Sequence, residues 1–200
     1  MELDKKEINS LLEKIFLYEN IRLSDIPDLD LYMDQVITLF NDKLSHSKRN
    51  DNDKILTKTM INNYTKAKIL IPPNKKKYSK THIILLILIY YLKQSLSISD
   101  IYLLFKDVIE TLESDENAHL EIQKIYQSFL NIKKDQTDKI YESLSEKMDI
   151  IHNNTQELNS SNMKSEKMLI TVLALINEAN ILKRLAEKII DDFFANSDFK

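Results

Sequence analysis

The chain has 200 residues, 43% of them hydrophobic and 30% charged, with net charge −3. That is enough for one or two soluble domains with a sizeable core. There is no cysteine, which excludes disulfides, thiolate metal sites and cysteine nucleophiles. There is no glycine, which excludes dinucleotide fingerprints, phosphate-cradling loops and Gly-based hairpin turns. With only three prolines (27, 72 and 73), such a chain is most easily built from helices joined by Asn, Asp and Ser connections.

Residues 3–23 read as a first helix, with Ile8, Leu11, Leu12, Ile15 and Tyr18 on one stripe. Ser24 to Asp28 breaks it. Asp28 or Asp30 is expected to cap a second helix, with Met33, Val36, Ile37, Phe40 and Leu44 inward. Ser45–Asp53 has no apolar residue and reads as a loop. Thr57 is the expected N-cap of a third helix, with Leu56 and Ile61 as a hydrophobic staple. Met60, Ile61, Tyr64 and Ala67 face inward. Lys58, Asn62 and Lys66, with Thr59 and Asn63 beside them, form the opposite face. Asn can bond adenine bidentately and Lys can contact phosphate or guanine. The same face also fits a plainly solvated surface.

Pro72 and Pro73 stop that helix and hold the chain extended. Asn74-Lys75-Lys76-Lys77-Tyr78 follows as a short basic turn, and Ser79 caps a helix over Lys80–Lys93. Its apolar run Ile83–Leu92 has ten residues, about 15 Å of helix against a bilayer core of about 30 Å, so a helix buried all round is expected and membrane insertion is not. Ser95–Ile101 is a break followed by a capped helix to about Leu112. Further helices are expected over His119–Lys134, with Ile122, Ile125, Tyr126, Phe129 and Ile132 inward, and over Lys139–Ile151. His152-Asn153-Asn154 and Asn159–Asn162 read as loops.

The last helix, Met163–Phe194, carries Met168, Val172, Leu175, Ala179, Leu182, Ala186, Ile189 and Phe193 at alternating steps of four and three. That heptad seam is the expected dimerisation surface of a homodimer, with intrachain bundle packing as the alternative. The acidic N-terminus shows no secretory pattern, and a cytoplasmic protein is expected.

Charge is unevenly spread. Residues 1–42 have net charge −6, residues 43–93 have +10 and residues 94–200 have −7. The stretch from Lys54 to Lys93 holds nine lysines and no acid, which suggests a local polyanion contact. The four histidines (46, 82, 119 and 152) have no partner at metal-pair spacing, and His82 reads as structural. No nucleophile, base and orienter set is visible, so no enzyme, metal or cofactor is expected.

The order of these features resembles the MerR-type winged helix-turn-helix family of bacterial transcription regulators. Asn62-Asn63-Tyr64 sits where that family has Arg-Tyr-Tyr, and Ile69–Pro73 resembles its leucine-proline exit. Lys75–Ser79 resembles the basic wing and following cap, and Ser95–Ile101 resembles its Gly-Leu-Ser-Leu-Glu-Glu-Ile step. More closely, residues 30–36, 56–64, 75–79 and 97–101 are similar to a bacterial domain-of-unknown-function family numbered 1836, whose members are presumed regulators. The resemblance covers about residues 24–112. The sequence departs from the MerR pattern at Asn62, where the family has arginine, at Lys68, where it has glycine, and in the longer Ser45–Asp53 loop.

The expected fold is therefore mainly α. An N-terminal helix (1–23) is followed by a MerR-like winged helix-turn-helix domain (24–112) and an all-α dimerisation or effector region (113–200). The resemblance implies a transcriptional regulator that binds double-stranded DNA. Lys58, Thr59, Asn62, Asn63 and Lys66 would lie in the major groove. Lys75, Lys76, Lys77 and Tyr78 would lie on the backbone, with Lys68 and Lys80 adding phosphate contacts. An unidentified small-molecule effector between the later helices is a further expectation, with no residue marking its pocket. The alternative is an all-helical module that docks an acidic protein or membrane surface through residues 54–93.

Overall fold

The computed structural model describes residues 5–16, 21–115, 117–158 and 163–195. It is mainly helical: α1 (Lys5–Phe16), α2 (Met33–Leu44), α3 (Lys58–Lys66), α4 (Lys80–Lys93), α5 (Ile98–Ser114), α6 (Ala118–Asn154) and α7 (Met163–Ile190). Two short strands, β1 (Leu31–Tyr32) and β2 (Lys77–Tyr78), pair antiparallel, with Leu31 opposite Tyr78 and Tyr32 opposite Lys77. The chain divides into two compact units. One is Tyr18–Asn131 with Glu187–Lys200; the other is Met1–Leu17 with Ile132–Ala186.

The first unit is built around α4. Eight of its fourteen residues are buried, and Ile83 to Ile87 have no exposed surface. A helix apolar on every side must be surrounded, and α2, α3 and α5 supply that wrapping with Val36, Phe40, Ile61, Tyr64, Ile101 and Phe105. The inward stripes of α2 and α3 match the periodicity of the sequence. The 3-10 turn Leu23–Asp25 anchors α2 through Asp25, which accepts from Lys43 at 2.9 Å. That ammonium holds the Asp25 carboxyl below its usual pKa.

The α2 start differs from expectation. Neither Asp28 nor Asp30 caps it, because Leu31–Tyr32 is drawn into the strand pair and α2 begins directly after it. The Gln35 side chain accepts the Tyr32 N–H at 2.8 Å in place of a cap. The Ser45–Asp53 loop is ordered by Asp53, which accepts from the Arg49 and Asn50 amides at 3.1 and 3.0 Å. Ser47 ties it to α4 through Tyr90 at 2.7 Å.

Two turns place non-glycine residues in the left-handed region. Lys68 has φ 58°, and it ends α3 with a Lys68 N–H to Thr65 bond of 3.1 Å and an Ile69 N–H to Tyr64 bond of 3.1 Å. That is the Schellman pattern, whose C′ residue is usually glycine. Lys68→Gly is expected to raise stability by up to about 1 kcal/mol, read as a higher denaturant midpoint at unchanged slope. The second turn is described with the site below.

The expected break between residues 134 and 139 is absent: α6 runs unbroken from Ala118 to Asn154, so His152-Asn153-Asn154 is helical, not a loop. The intervening Lys-Asp-Gln-Thr-Asp is polar but has no Gly or Pro, and polarity alone does not end a helix. Ile122 and Tyr126 are buried and Phe129 partly so, whereas Ile125 and Ile132 are 50% and 56% exposed, contrary to the inward set. Tyr126 donates its buried hydroxyl to the Ile21 carbonyl, and burial raises its pKa.

In the second unit, α1 leaves Leu11 and Ile15 each 51% exposed. The expected helix to residue 23 is not reached, because Ile21 and Arg22 are non-helical and Leu23 begins the 3-10 turn; residues 17–20, with Tyr18 of the expected stripe, lie outside the described residues. The expected Asn159–Asn162 loop also lies outside them. Among the described residues no helix is long and apolar enough to cross a membrane.

Candidate nucleic-acid interface

The amphipathic pattern of α3 decides what it offers. Ile61 and Tyr64 anchor it to the core at 0% and 5% exposure, so helical geometry turns Lys58, Thr59, Asn62, Asn63 and Lys66 to solvent, and all five are exposed. Thr57 caps the helix, accepting the Met60 N–H at 3.2 Å, and Leu56 is buried beside it as a staple would require.

The chain returns to this face through a tight turn. Asn74 and Lys77 exchange backbone hydrogen bonds of 3.1 and 2.9 Å, and the two residues between them, Lys75 and Lys76, have φ 49° and 65°. Two central residues at positive φ define a type I′ turn, which ordinarily takes Asn-Gly. Gly-based hairpin turns are excluded by composition, and this one is made instead from lysines at a conformational cost of about 1–2 kcal/mol each. Both lysines are exposed.

Tyr32, Met33, Asp34, Asn62, Thr65, Lys66, Pro73, Lys76 and Tyr78 line one cavity of about 610 Å³. Asn62, Thr65 and Lys66 of α3 and Lys76 of the turn thereby share one concavity with the start of α2, whereas Lys58, Thr59, Asn63 and Lys75 lie outside its lining. Lys77 lies 5.4 Å from the Tyr32 ring centroid, a cation–π contact across the strand pair.

The expected residues separate into three groups. Lys66, Lys68, Lys75 and Lys76 are exposed and have no ion-pair partner among the described residues. Lys58 and Lys80 are paired at 2.7 Å with Asp34 and Asp28, so the acidic N-terminal segment supplies counter-charges that the local sequence lacks. The Lys58 pair is exposed on both sides and weakly held. Tyr78 corrects the expectation outright: it is only 2% exposed, packed edge-on to the His82 ring at 5.5 Å, and its side chain belongs to the core instead of a surface contact. Tyr32, 55% exposed, lines the same concavity as the buried Tyr78. Sequence reasoning missed it because a strand of two residues has no readable period.

His82 fixes the base of the turn. Its Nδ1 accepts from the Ser79 amide at 3.1 Å and the Ser79 hydroxyl at 2.8 Å, and its Nε2 donates to the Pro72 carbonyl at 3.1 Å. The Ser79 N–H can only donate and the Pro72 carbonyl can only accept, which requires the neutral ring with its proton on Nε2. The residues at both ends of the turn are thus held by one imidazole. Burial pushes its pKa below the usual value. A proton on Nδ1 would face the Ser79 N–H. Below about pH 6.5 the unfolded chain binds a proton that the folded chain resists, so stability falls as pH falls from there, by at most about 1.4 kcal/mol per pH unit from this group. Melting curves between pH 8 and 5 should show this decline. His82→Phe should melt lower at pH 8 and decline less steeply.

Among the described residues no group of three His or acidic side chains can hold a metal ion. No curated protein and no solved structure matches the chain. Residues 21–129 match a family described as Domain of unknown function (DUF1836), a span that includes α2 to α5, the lysine turn and the start of α6. With more than half of its length inside that match, the chain belongs to the DUF1836 family.

Proposed function

We propose that this protein is a sequence-specific DNA-binding transcriptional regulator, with α3 in the major groove and the Asn74–Lys77 turn on the adjacent backbone. The observation that carries this reading is the shared concavity. It brings Asn62, Thr65 and Lys66 of α3 beside Lys76, one of two turn lysines in the left-handed region. Strained residues persist where the surroundings enforce them and cluster at functional sites. The order α2, α3, basic turn and buried α4 fits a MerR-like winged helix-turn-helix, with α4 setting the angle between reader and clamp.

In this reading Asn62 and Asn63 read base edges, and Lys66, Lys68, Lys75, Lys76 and Lys77 neutralise phosphates. Lys58 and Lys80 join them only after leaving Asp34 and Asp28. The role is binding and not catalysis. An acidic protein is the alternative occupant, which the exposed Tyr32 and the Pro73 wall would suit.

The test is a gel shift of the full chain against its own upstream DNA at several salt concentrations. Specific retardation is expected, with log affinity falling linearly in log salt. Each phosphate-contacting lysine replaced by Ala should flatten that slope by about one unit per subunit. Asn62→Ala should change site preference more than overall affinity, as measured by selection from randomised DNA. Equal loss on every sequence would make Asn62 a backbone contact.

A further inference from the structure

We infer that His82 is a positioning residue for the basic turn: its neutral ring fastens the Pro72 and Ser79 ends of the segment that carries Lys75 and Lys76, and its protonation releases the Pro72 end. The effect on DNA rests on the reading above; the fastening itself does not. The ring sits in the first turn of α4, 5% exposed, on the helix that the core encloses. It is a fixed point against which a surface turn can be held.

The segment needs such a point. Ile71 and Tyr78 are buried, but every residue from Pro72 to Lys77 is exposed or half-buried, so hydrophobic contact does not set its shape. Pro72 and Pro73 have no N–H, so hydrogen bonds can tie that stretch only through its carbonyls. The Pro72 carbonyl takes the His82 Nε2–H at 3.1 Å. The Ser79 end has a further hold, since β2 pairs with β1. Between the two ends, Lys75 and Lys76 stand at φ 49° and 65°, a conformation that lysine leaves when its surroundings do not enforce it.

A second proton on the ring would go to Nδ1. There it would meet the Ser79 N–H, now 3.1 Å away, and place a cation in a buried slot. The Ser79 hydroxyl, at 2.8 Å, can turn to accept from the new N–H. The ring can pivot on that contact toward solvent, which withdraws Nε2–H from the Pro72 carbonyl. Three titratable side chains from other elements face the ring. Asp30, before β1, favours its charged form, and His119 of α6, bonded through Nδ1 to the Thr81 hydroxyl at 2.9 Å, opposes it. Tyr78 of β2 lies edge-on at 5.5 Å. On α4 itself, Lys80 is paired with Asp28. Burial outweighs Asp30, so the release lies below about pH 6.5.

The test follows amide protection and the His82 ring titration in the full chain by NMR from pH 8 downwards, with protection corrected for intrinsic exchange. The Lys77 N–H, bonded to the Asn74 carbonyl at 2.9 Å, reports on the turn, and the Leu86 N–H reports on α4. As His82 takes up its proton, Lys77 protection should fall at least fivefold while Leu86 holds. His82→Gln puts an acceptor and a donor on one uncharged amide, at the position where a capping box carries Gln. It should keep Lys77 protected over the same range, and His82→Leu should leave it unprotected throughout. Turn protection that persists through the His82 titration overturns the inference. So does loss at Lys77 and Leu86 together, which is unfolding, a protected turn in His82→Leu, or a pH-dependent loss in His82→Gln equal to the native one. On DNA, once His82 is charged, the native salt slope should lie about 1.8 per subunit below that of His82→Gln, as Lys75 and Lys76 leave their phosphates. A turn that opens as described in a protein that binds no DNA at any pH would sink the DNA reading alone. DNA binding with a turn indifferent to His82 would sink this inference alone.

Discussion

Replacing Lys75 with Asn and Lys76 with Gly is expected to make the protein more stable and at the same time a weaker DNA binder. Both residues sit at positive φ in a type I′ turn, where Asn-Gly is the favoured pair. Relief of the left-handed penalty on two L-residues, less the entropy that glycine adds to the unfolded chain, should yield about 1–2 kcal/mol. Neither lysine has an ion-pair partner to lose among the described residues. If both contact phosphate, the slope of log affinity against log salt should fall by about 1.8 per subunit. Opposite movement of stability and affinity is hard to obtain by damaging the fold, which makes this double substitution more informative than Lys→Ala alone. Greater stability with an unchanged salt slope would leave the strained turn unexplained by DNA and would remove the wing from the proposed interface.

The second large effect concerns α4. Leu85→Ala should lower stability by about 2–5 kcal/mol, since Leu85 has no exposed surface and its neighbours on every side are packed. For a chain of this size that corresponds to a melting point lower by roughly 5–20 °C. Ile125→Ala, at a position 50% exposed, should change stability by less than about 0.5 kcal/mol. The sequence places both residues in apolar helical positions, so the contrast isolates tertiary burial. A Leu85→Ala loss below about 1 kcal/mol would mean that α4 is not enclosed. If the enclosed helix sets the angle between α3 and the lysine turn, Leu85→Ala should also weaken DNA binding near its melting point before the salt slope changes.

Much of the architecture was legible because its signals are local. Thr57 caps the helix expected of it, the helix expected after the Ser95–Ile101 break is capped, the period of Ile61 and Tyr64 sets the inward face of α3, and the unbroken apolar run of α4 requires burial all round. The failures share a cause too. A two-residue strand has no period, so β1 was invisible and with it the true start of α2 and the exposed position of Tyr32. The polar stretch at 134–139 was taken for a break although it holds no helix breaker. Backbone handedness at Lys68, Lys75 and Lys76 is imposed from outside the residues that adopt it, and lysine does not announce it.

The sequence by itself determined a mainly helical chain with a basic segment between acidic ones, a polar face on α3 and a heptad seam on α7. Composition and period are properties of neighbouring residues, which is why they could be read without coordinates. The tertiary structure decided which charges remain free. It brings Asp28 and Asp34 to Lys80 and Lys58 across 52 and 24 positions of chain, and leaves Lys66, Lys68, Lys75 and Lys76 without ion pairs among the described residues. It also buried Tyr78 and left Tyr32 exposed, because the side on which a residue of a strand falls is set by its partner strand and by what packs on it.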